Sequence, residues 1–312
     1  MKISFRYIDL FCGIGGFRLA GDSMGWQCVF SCDIDPDCRK AYLANFGDMP
    51  HGDIHKVAND DIPDHDILMA GFPCQPFSII GERKGFDDTR GTLFFEIARM
   101  LETKAPQSFV LENVKQLATH NKGRTLRRIL QVLQDELKYS VDYKILNALD
   151  FGLPQKRERI LIVGMRGDFR FKWPNGDIPM RPLSDILEQD VPEEYYASKY
   201  IQQQRKAKHT SPYSPGIWHE NKGGNVSSHP FSCALRAGAS YNYLLVDGIR
   251  RLTPREMLRL QGFPDSYQIV RNYSQTRKQA GNAVPVPVIK AVLTELERAL
   301  VGEGSEADVS TT

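Results

Sequence analysis

Several stretches of the 312-residue chain place reactive residue types directly after apolar runs. The run YIDLF leads into Cys12-Gly13-Ile14-Gly15-Gly16, a turn whose glycines let a ligand approach the backbone closely. It is incomplete as a dinucleotide fingerprint, because the third glycine of GxGxxG falls on Arg18, and this disfavours a nicotinamide or flavin site. The run QCVFSC ends at Asp33, about twenty residues past the glycines, where a carboxylate can accept hydrogen bonds from ribose hydroxyls. Together the two features fit an adenosine-containing ligand; for Asp33 alone, a plain strand-end or cap carboxylate is the alternative.

The run DILMAG leads into GFPCQPFS, which sets Cys74 between Pro73 and Pro76. A lone cysteine is more often buried and inert, but a thiol on a proline-stiffened loop at the carboxyl end of a strand is a candidate nucleophile. A thiolate is the side chain best suited to add reversibly to carbon 6 of a polarised pyrimidine ring. The run SFVLENV leaves Glu112 and Asn113 at the edge of the sheet, where a carboxyl group could engage cytosine N3 and the exocyclic amine. Finally, QKRER precedes RILIVGM and offers the guanidinium forks of Arg157 and Arg159 for a carbonyl oxygen and a phosphate. Singly, each could be a surface salt-bridge residue. In this order at successive strand ends they compose a site.

The elements that must position these residues follow from the same runs. YIDLF, QCVFSC, DILMAG, SFVLEN and RILIVGM alternate with amphipathic segments such as 123–138, which predicts an α/β domain with a mostly parallel, Rossmann-like sheet and helices on both faces. From Asp168 to Asp247 the chain turns to Pro, Gly, Ser and Tyr with little periodicity and reads as a smaller, loop-rich domain. Regularity returns at LTPREMLRLQGFP, with Thr253 as N-cap and Pro254 as first helical residue. A closing amphipathic helix over 286–300 turns Val288, Val292, Leu296 and Leu300 to a core. The expected organisation is a catalytic domain over 1–167, a recognition domain over 168–247, a hinge and return to the catalytic domain over 248–301, and a disordered tail over 302–312.

With 41% hydrophobic and 25% charged residues the chain can bury a sizeable core. It has no run of about 18 apolar residues and no signal-peptide pattern at its start, so a cytoplasmic, membrane-free monomer is expected. Six cysteines without CxxC or zinc spacing predict reduced thiols and no metal. The net charge of +2 neither requires nor excludes a polyanion, but its distribution is suggestive. Residues 195–219 contain no acid while holding Lys199, Arg205, Lys206 and Lys208, and Arg251, Arg255 and Arg259 recur at a spacing that would align them on one helix face. Either cluster alone reads as a solvated face; beside the site above, phosphate contact is the better reading.

In order and spacing, from Asp9 to Val288, these residues resemble the DNA cytosine-5 methyltransferase family: DLFCGIGGF, GFPCQPFS, ENV, QKRERI, RLTPREMLRLQGFP and GNAVPVPV are similar to its cofactor-loop, catalytic-loop, carboxylate, arginine, hinge and closing motifs. The resemblance implies that Cys74 attacks carbon 6, Glu112 engages N3 and Arg159 holds the cytosine O2, with Arg157 nearer the DNA backbone. It implies an S-adenosylmethionine (AdoMet) site formed by Phe11, Gly13, Ile14 and Gly16 of the loop, by Asp33, Ile34, Asp53 and Ile54, and by Pro73, Asn282 and Val284, with no metal. It also puts Gln75 and Ser78 against double-stranded DNA. Two positions depart from the family: Asp33 stands where Glu is usual, and Ile34 where an aromatic often stacks on adenine.

The stretch 168–247 takes the place of the family's target-recognition domain. Within CALRAGASYNYLL, Arg236, Asn242 and Tyr243 are candidate base readers, since Arg suits guanine and Asn suits adenine; a buried hairpin is the alternative. Arg251 joins the lysines and Arg205 as a candidate phosphate contact. A single short recognition region resembles a prokaryotic or phage modification enzyme, with a restriction endonuclease as its genetic rather than physical partner. Two rivals stand beside this reading: the RNA-directed branch of the family, whose CFT-type motif is absent from the variable region, and a catalytically silent DNA-binding homologue, against which Cys74, Glu112 and Arg159 argue.

Overall fold

The computed structural model describes residues 4–73, 93–168 and 170–302; Cys74, Gln75 and Ser78 lie outside the described residues. The catalytic framework is one six-stranded sheet built from β1 (Arg6–Leu10), β2 (Gln27–Cys32), β3 (Ile67–Gly71), β4 (Ser108–Val114), β5 (Tyr139–Asn147) and β7 (Glu158–Arg166), in the order β2-β1-β3-β4-β7-β5. The pairs among β2, β1, β3 and β4 are parallel, whereas β7 runs antiparallel to both neighbours.

Alternation along each strand decides which face its side chains serve. Ile8, Leu10, Leu68, Ala70, Phe109, Leu111, Ile160 and Ile162 pack under α3 (Leu93–Lys104) and α4 (Arg124–Gln131). Tyr7, Ile67, Met69, Val110, Leu161 and Val163 face α1 (Gly16–Met24) and the closing helix α8 (Val286–Val301). The contiguous apolar runs are therefore strands buried on both faces. Strand β5 escapes the sequence reading because it is the sheet's edge: Asp142, Tyr143, Lys144 and Ile145 are exposed, so no apolar run marks it.

The smaller unit holds a three-stranded antiparallel sheet, β11 (Leu244–Val246), β8 (Ile217–Glu220) and β9 (Val226–His229). One face carries α5 (Lys199–Lys208), a helix in a stretch read as irregular; Ser198 caps it through the amide of Ile201. The other face shares an apolar cluster with α6 (Pro254–Leu260), α7 (Tyr273–Asn282) and, across the cleft, Ile14 and Ala41 near α2 (Pro36–Phe46). Residues 252–283 thus pack with the small sheet, and α8 carries the return to the large one.

A pair of short strands ties the units together, and a buried ion-pair network braces the start of α6 within the smaller one. The short strands β6 (Gln155–Lys156) and β10 (Ser232–Cys233) pair in parallel. At α6, Thr253 and Glu256 form the two halves of a capping box, Pro254 stands at its start, and Glu256 also takes both Arg250 guanidinium nitrogens at 2.9 and 2.8 Å and the Glu188 amide at 2.8 Å. The predicted alignment of Arg251, Arg255 and Arg259 does not form. Arg251 precedes the N-cap, Arg255 donates to the carbonyls of Pro264 and Tyr267, and Arg259 binds Asp265. Glu256→Ala would leave the buried Arg250 charge uncompensated and remove half the cap, and is expected to cost about 3–5 kcal/mol, read as a lowered urea midpoint.

Candidate active site

The carboxyl ends of β1, β2, β3 and β4 converge on a cleft of about 540 Å³. Phe11 and Gly13 form one wall with Asp33, Ile34 and Asp35; Gly71, Phe72 and Pro73 bring the chain along the cleft up to the residue before Cys74. Glu112, Asn113 and Arg159 lie on the floor, and Arg236, Gln279 and Asn282 complete the opposite side.

Strand pairing makes the floor. Since β7 runs against β4, with Val114 opposite Arg159 and Glu112 opposite Leu161, the first residues of β7 emerge at the same edge as the last residues of β4. Arg159 Nε meets Glu112 Oε1 at 2.8 Å, with both side chains largely buried. Burial pushes the Glu112 carboxyl above its ordinary range, against the opposing pull of Arg159 and Arg157. A carboxyl group so placed holds a proton more readily than an exposed one, which suits it to donate to a ring nitrogen. Asn113, given no role by sequence beyond its place at the strand end, donates from Nδ2 to the Phe72 carbonyl at 2.8 Å. It thereby anchors the backbone two residues before Cys74.

The wall formed by Phe11, Gly13, Asp33 and Ile34 has features that could hold a nucleoside. Gly13 has φ +55° and nothing within 4 Å of where a Cβ would stand, so the loop backbone is open to a ligand. Phe11 shares the left-handed conformation at φ 55°, a strained state for a non-glycine residue and one that clusters at ligand sites. Asp33 Oδ2 accepts from the Gly13 amide at 2.8 Å and Oδ1 from the Asp35 amide at 2.8 Å, which fixes the carboxylate at the lip of the cleft. Ile34 beside it is 73% exposed and offers an apolar surface to the cleft. These residues match the chemistry of AdoMet.

Other residues assigned to the cofactor from sequence are not among those that line the cleft. Ile14 and Ile54 are core side chains; Asp53 is an N-cap, accepting from the His55 amide at 3.1 Å. Gly16 and Val284 touch each other instead, since a Cβ on Gly16 would lie 2.5 Å from Val284 Cγ2; their pairing lets α1 begin close to the start of α8.

The structure also corrects three nucleic-acid assignments. Arg157, expected nearer the DNA backbone, is 1% exposed and donates to the carbonyls of Leu235, Gly281 and Ala283. Arg205 is buried, bonded to Glu220 at 2.7 Å and to the Asn242 carbonyl at 2.7 Å, so it braces α5 on its sheet. Tyr243 is buried as well; its hydroxyl accepts from the Arg236 amide at 2.9 Å, and its ring lies under the Arg236 guanidinium at 4.8 Å. Arg236 itself is exposed on that platform at the edge of the cleft. Asn242 is half-buried, and Arg251 lies over Tyr273 at 5.2 Å while donating to the carbonyls of Glu194 and Tyr195. Lys199, Lys206 and Lys208 are exposed, but α5 packs on the sheet face of Trp218 and Ser228, whereas His219 and Tyr243 meet on the opposite side. The sequence signal that separates the two sides is the alternation of β8, in which Trp218 and His219 must point apart.

Among the described residues no group of His, Cys, Asp and Glu is arranged to hold a metal ion, and no helix is long and apolar enough to cross a membrane. The sequence profile of the C-5 cytosine-specific DNA methylases matches residues 5–298. The type II methyltransferase M.NgoBI of Neisseria gonorrhoeae is 58% identical over 290 residues, covering 92% of this chain and 91% of that protein. The type II methyltransferase M.HaeII of Haemophilus aegyptius is 54% identical over 292 residues, covering 92% and 91%. Among solved structures, DNMT2 of Spodoptera frugiperda superposes with a TM-score of 0.74 at 20% identity, covering 94% of this chain and 100% of that one, which speaks for the fold. On this likeness, with the site's own geometry, the chain belongs to the C-5 cytosine-specific DNA methylase family.

Proposed function

We propose that this enzyme methylates carbon 5 of a cytosine flipped out of duplex DNA, at a short target read by the 168–247 unit, as the modification half of a restriction-modification system. The observation that carries the reading is the buried Glu112–Arg159 pair on the floor of an open cleft, at the edge from which the backbone enters the Cys74 loop. Flipping costs about a few kcal/mol, which contacts in the cleft must offset. Arg159 holds the Glu112 carboxyl in place and presents its guanidinium to the cytosine O2. Glu112 engages N3, and charge that develops on the ring as carbon 6 is attacked is neutralised there. Cys74 adds to carbon 6 as a thiolate, which makes carbon 5 nucleophilic; carbon 5 would then gain a methyl group, and loss of its proton to water with expulsion of the thiolate from carbon 6 restores the aromatic, now 5-methylated, ring. Phe11, Gly13, Asp33, Ile34, Pro73 and Asn282 would hold AdoMet, which when bound supplies an electrophilic methyl group.

Cys74→Ser is expected to reduce turnover to below a few per cent while cofactor and DNA binding stay within about tenfold, because an alcohol at neutral pH is a far poorer nucleophile. Duplex DNA with 5-fluorocytosine at the target should give a denaturant-resistant adduct on a gel, since fluorine cannot leave as a proton does; its absence at a confirmed target would refute the covalent route. Labelled methyl transfer to duplex DNA, compared with tRNA, separates this reading from an RNA-directed enzyme.

Glu112→Gln keeps the size but removes the ionisable proton. It should slow the single-turnover rate by about 10² with binding changed far less, and an unchanged rate would remove N3 from the role of Glu112.

Arg236, exposed on the Tyr243 ring, is proposed as a base reader. Arg236→Ala should lose about 1–3 kcal/mol of discrimination at one base pair of the target, visible when plasmids from cells expressing each variant are sequenced for 5-methylcytosine. Stringency unchanged at every position would show that Arg236 reads no base.

A further inference from the structure

We propose that Gln155 and Arg157 are positioning residues that fix the base-reading loop relative to the cytosine pocket, so that recognition and chemistry act on one register of the DNA. The inference deepens the reading of Arg236 and rests on it. Gln155 and Arg157 alternate with the outward Lys156, and both are buried. Between them they clamp one peptide of the small unit: the Leu235 amide donates to Gln155 Oε1 at 3.0 Å, and the Leu235 carbonyl accepts from Arg157 Nη1 at 3.2 Å. Leu235 is the residue before Arg236.

The far ends of the same side chains hold the other parts of the junction. Gln155 Nε2 donates to the Leu260 carbonyl at the end of α6 at 2.8 Å. Arg157 Nη2 donates to the carbonyls of Gly281 and Ala283, at 3.1 and 2.7 Å, on either side of the cleft residue Asn282. A second observation confirms how tightly these segments meet: a Cβ on Gly281 would stand 2.5 Å from the Ala237 nitrogen and 2.9 Å from the Arg236 carbonyl carbon. Upstream, the Ser232 amide donates to the Pro154 carbonyl at 2.8 Å where β10 pairs with β6. Residues 232–235 are therefore pinned to 154–157 while 236–237 abut Gly281, and two residues past Arg157, Arg159 meets Glu112.

The residue types suit the task. Serving three carbonyls from separate segments needs the several fixed donors of a guanidinium; an ammonium on a flexible stem cannot span them. Gln155 supplies a donor and an acceptor in one planar group, as the Leu235 amide and Leu260 carbonyl require. With Arg157 only 1% exposed and committed to backbone, it acts on DNA through Leu235 and its neighbours rather than by touching it.

The test compares kcat/KM at the target site with that at sites altered by one base at the pair Arg236 reads, for the wild type, Arg157→Lys, Gln155→Leu and Arg236→Ala. Arg157→Lys should lower the cognate to near-cognate ratio by about tenfold and raise KM for DNA, while trapping by 5-fluorocytosine DNA and binding of S-adenosylhomocysteine persist. Gln155→Leu, which keeps the volume and carries the test if Arg157→Lys fails to fold, should lower the ratio by about threefold to fivefold. Equal losses at cognate and altered sites would overturn the proposal, since a merely structural or directly catalytic role predicts that pattern; so would an unchanged ratio. If Arg236→Ala leaves the ratio intact while either positioning variant lowers it, the clamp stands and another residue of its loop reads the base. If none of the variants lowers it, both readings fall.

Discussion

The reversal of β7 is the constraint on which the site depends. In a parallel sheet every strand ends at one edge and begins at the other, so residues before a sixth parallel strand would lie far from the ends of the first four. With β7 antiparallel to β4, residues 154–159 begin at the edge where β3 delivers Phe72 and Pro73 and β4 delivers Glu112 and Asn113. One edge then gathers the lining of the cleft, a carboxyl group and a guanidinium drawn from widely separated parts of the chain. The tight packing of β7 on β4 holds that register: a Cβ on Gly164 would fall 2.1 Å from Phe109 Cζ.

Burial of charge at this edge is unfavourable unless each group is paired, and the three charges there are compensated differently. Glu112 is answered by Arg159, while burial raises its affinity for a proton. Arg157 lies beside another cation, and burial together with that neighbour pushes its guanidinium down to about 9 while Glu112 works the other way. Its carbonyl partners make up the difference, and those partners lie on the segments that flank Arg236 and Asn282. The same hydrogen bonds that satisfy a buried charge thus also join the two units. Around them, ion pairs from Lys278 to Asp35 at 2.8 Å and from Arg271 to Asp37 at 2.9 Å tie the α7 region to the lip of the cofactor wall.

Much of this was legible in the sequence. The apolar runs marked every strand of the large sheet except β5, the glycines and prolines marked the loops after β1 and β3, and Thr253-Pro254 marked the start of α6. Chemistry that depends on residue type and on position after a strand can be read this way because backbone periodicity is local. The order of motifs along the chain was enough to indicate the family. The expected helix over 286–300 forms as 286–301.

Only the tertiary structure decided which of two similar residues does what. Arg157 and Arg159 differ by two positions in one motif, yet one is enclosed by backbone carbonyls and the other faces a carboxylate, since the wall each meets comes from more than seventy residues away in the first case and from β4 in the second. Tyr243 and Arg236 looked alike as readers until the ring proved to be the support on which the guanidinium lies. The basic residues 199–208 gave a clear charge signal, but which face of the small sheet they occupy follows from strand pairing. Sequence by itself determined the chemical groups and the elements that end beside them, because both are set by local pattern. Tertiary structure decided partners, burial and direction, because those depend on which distant segment closes over each side chain.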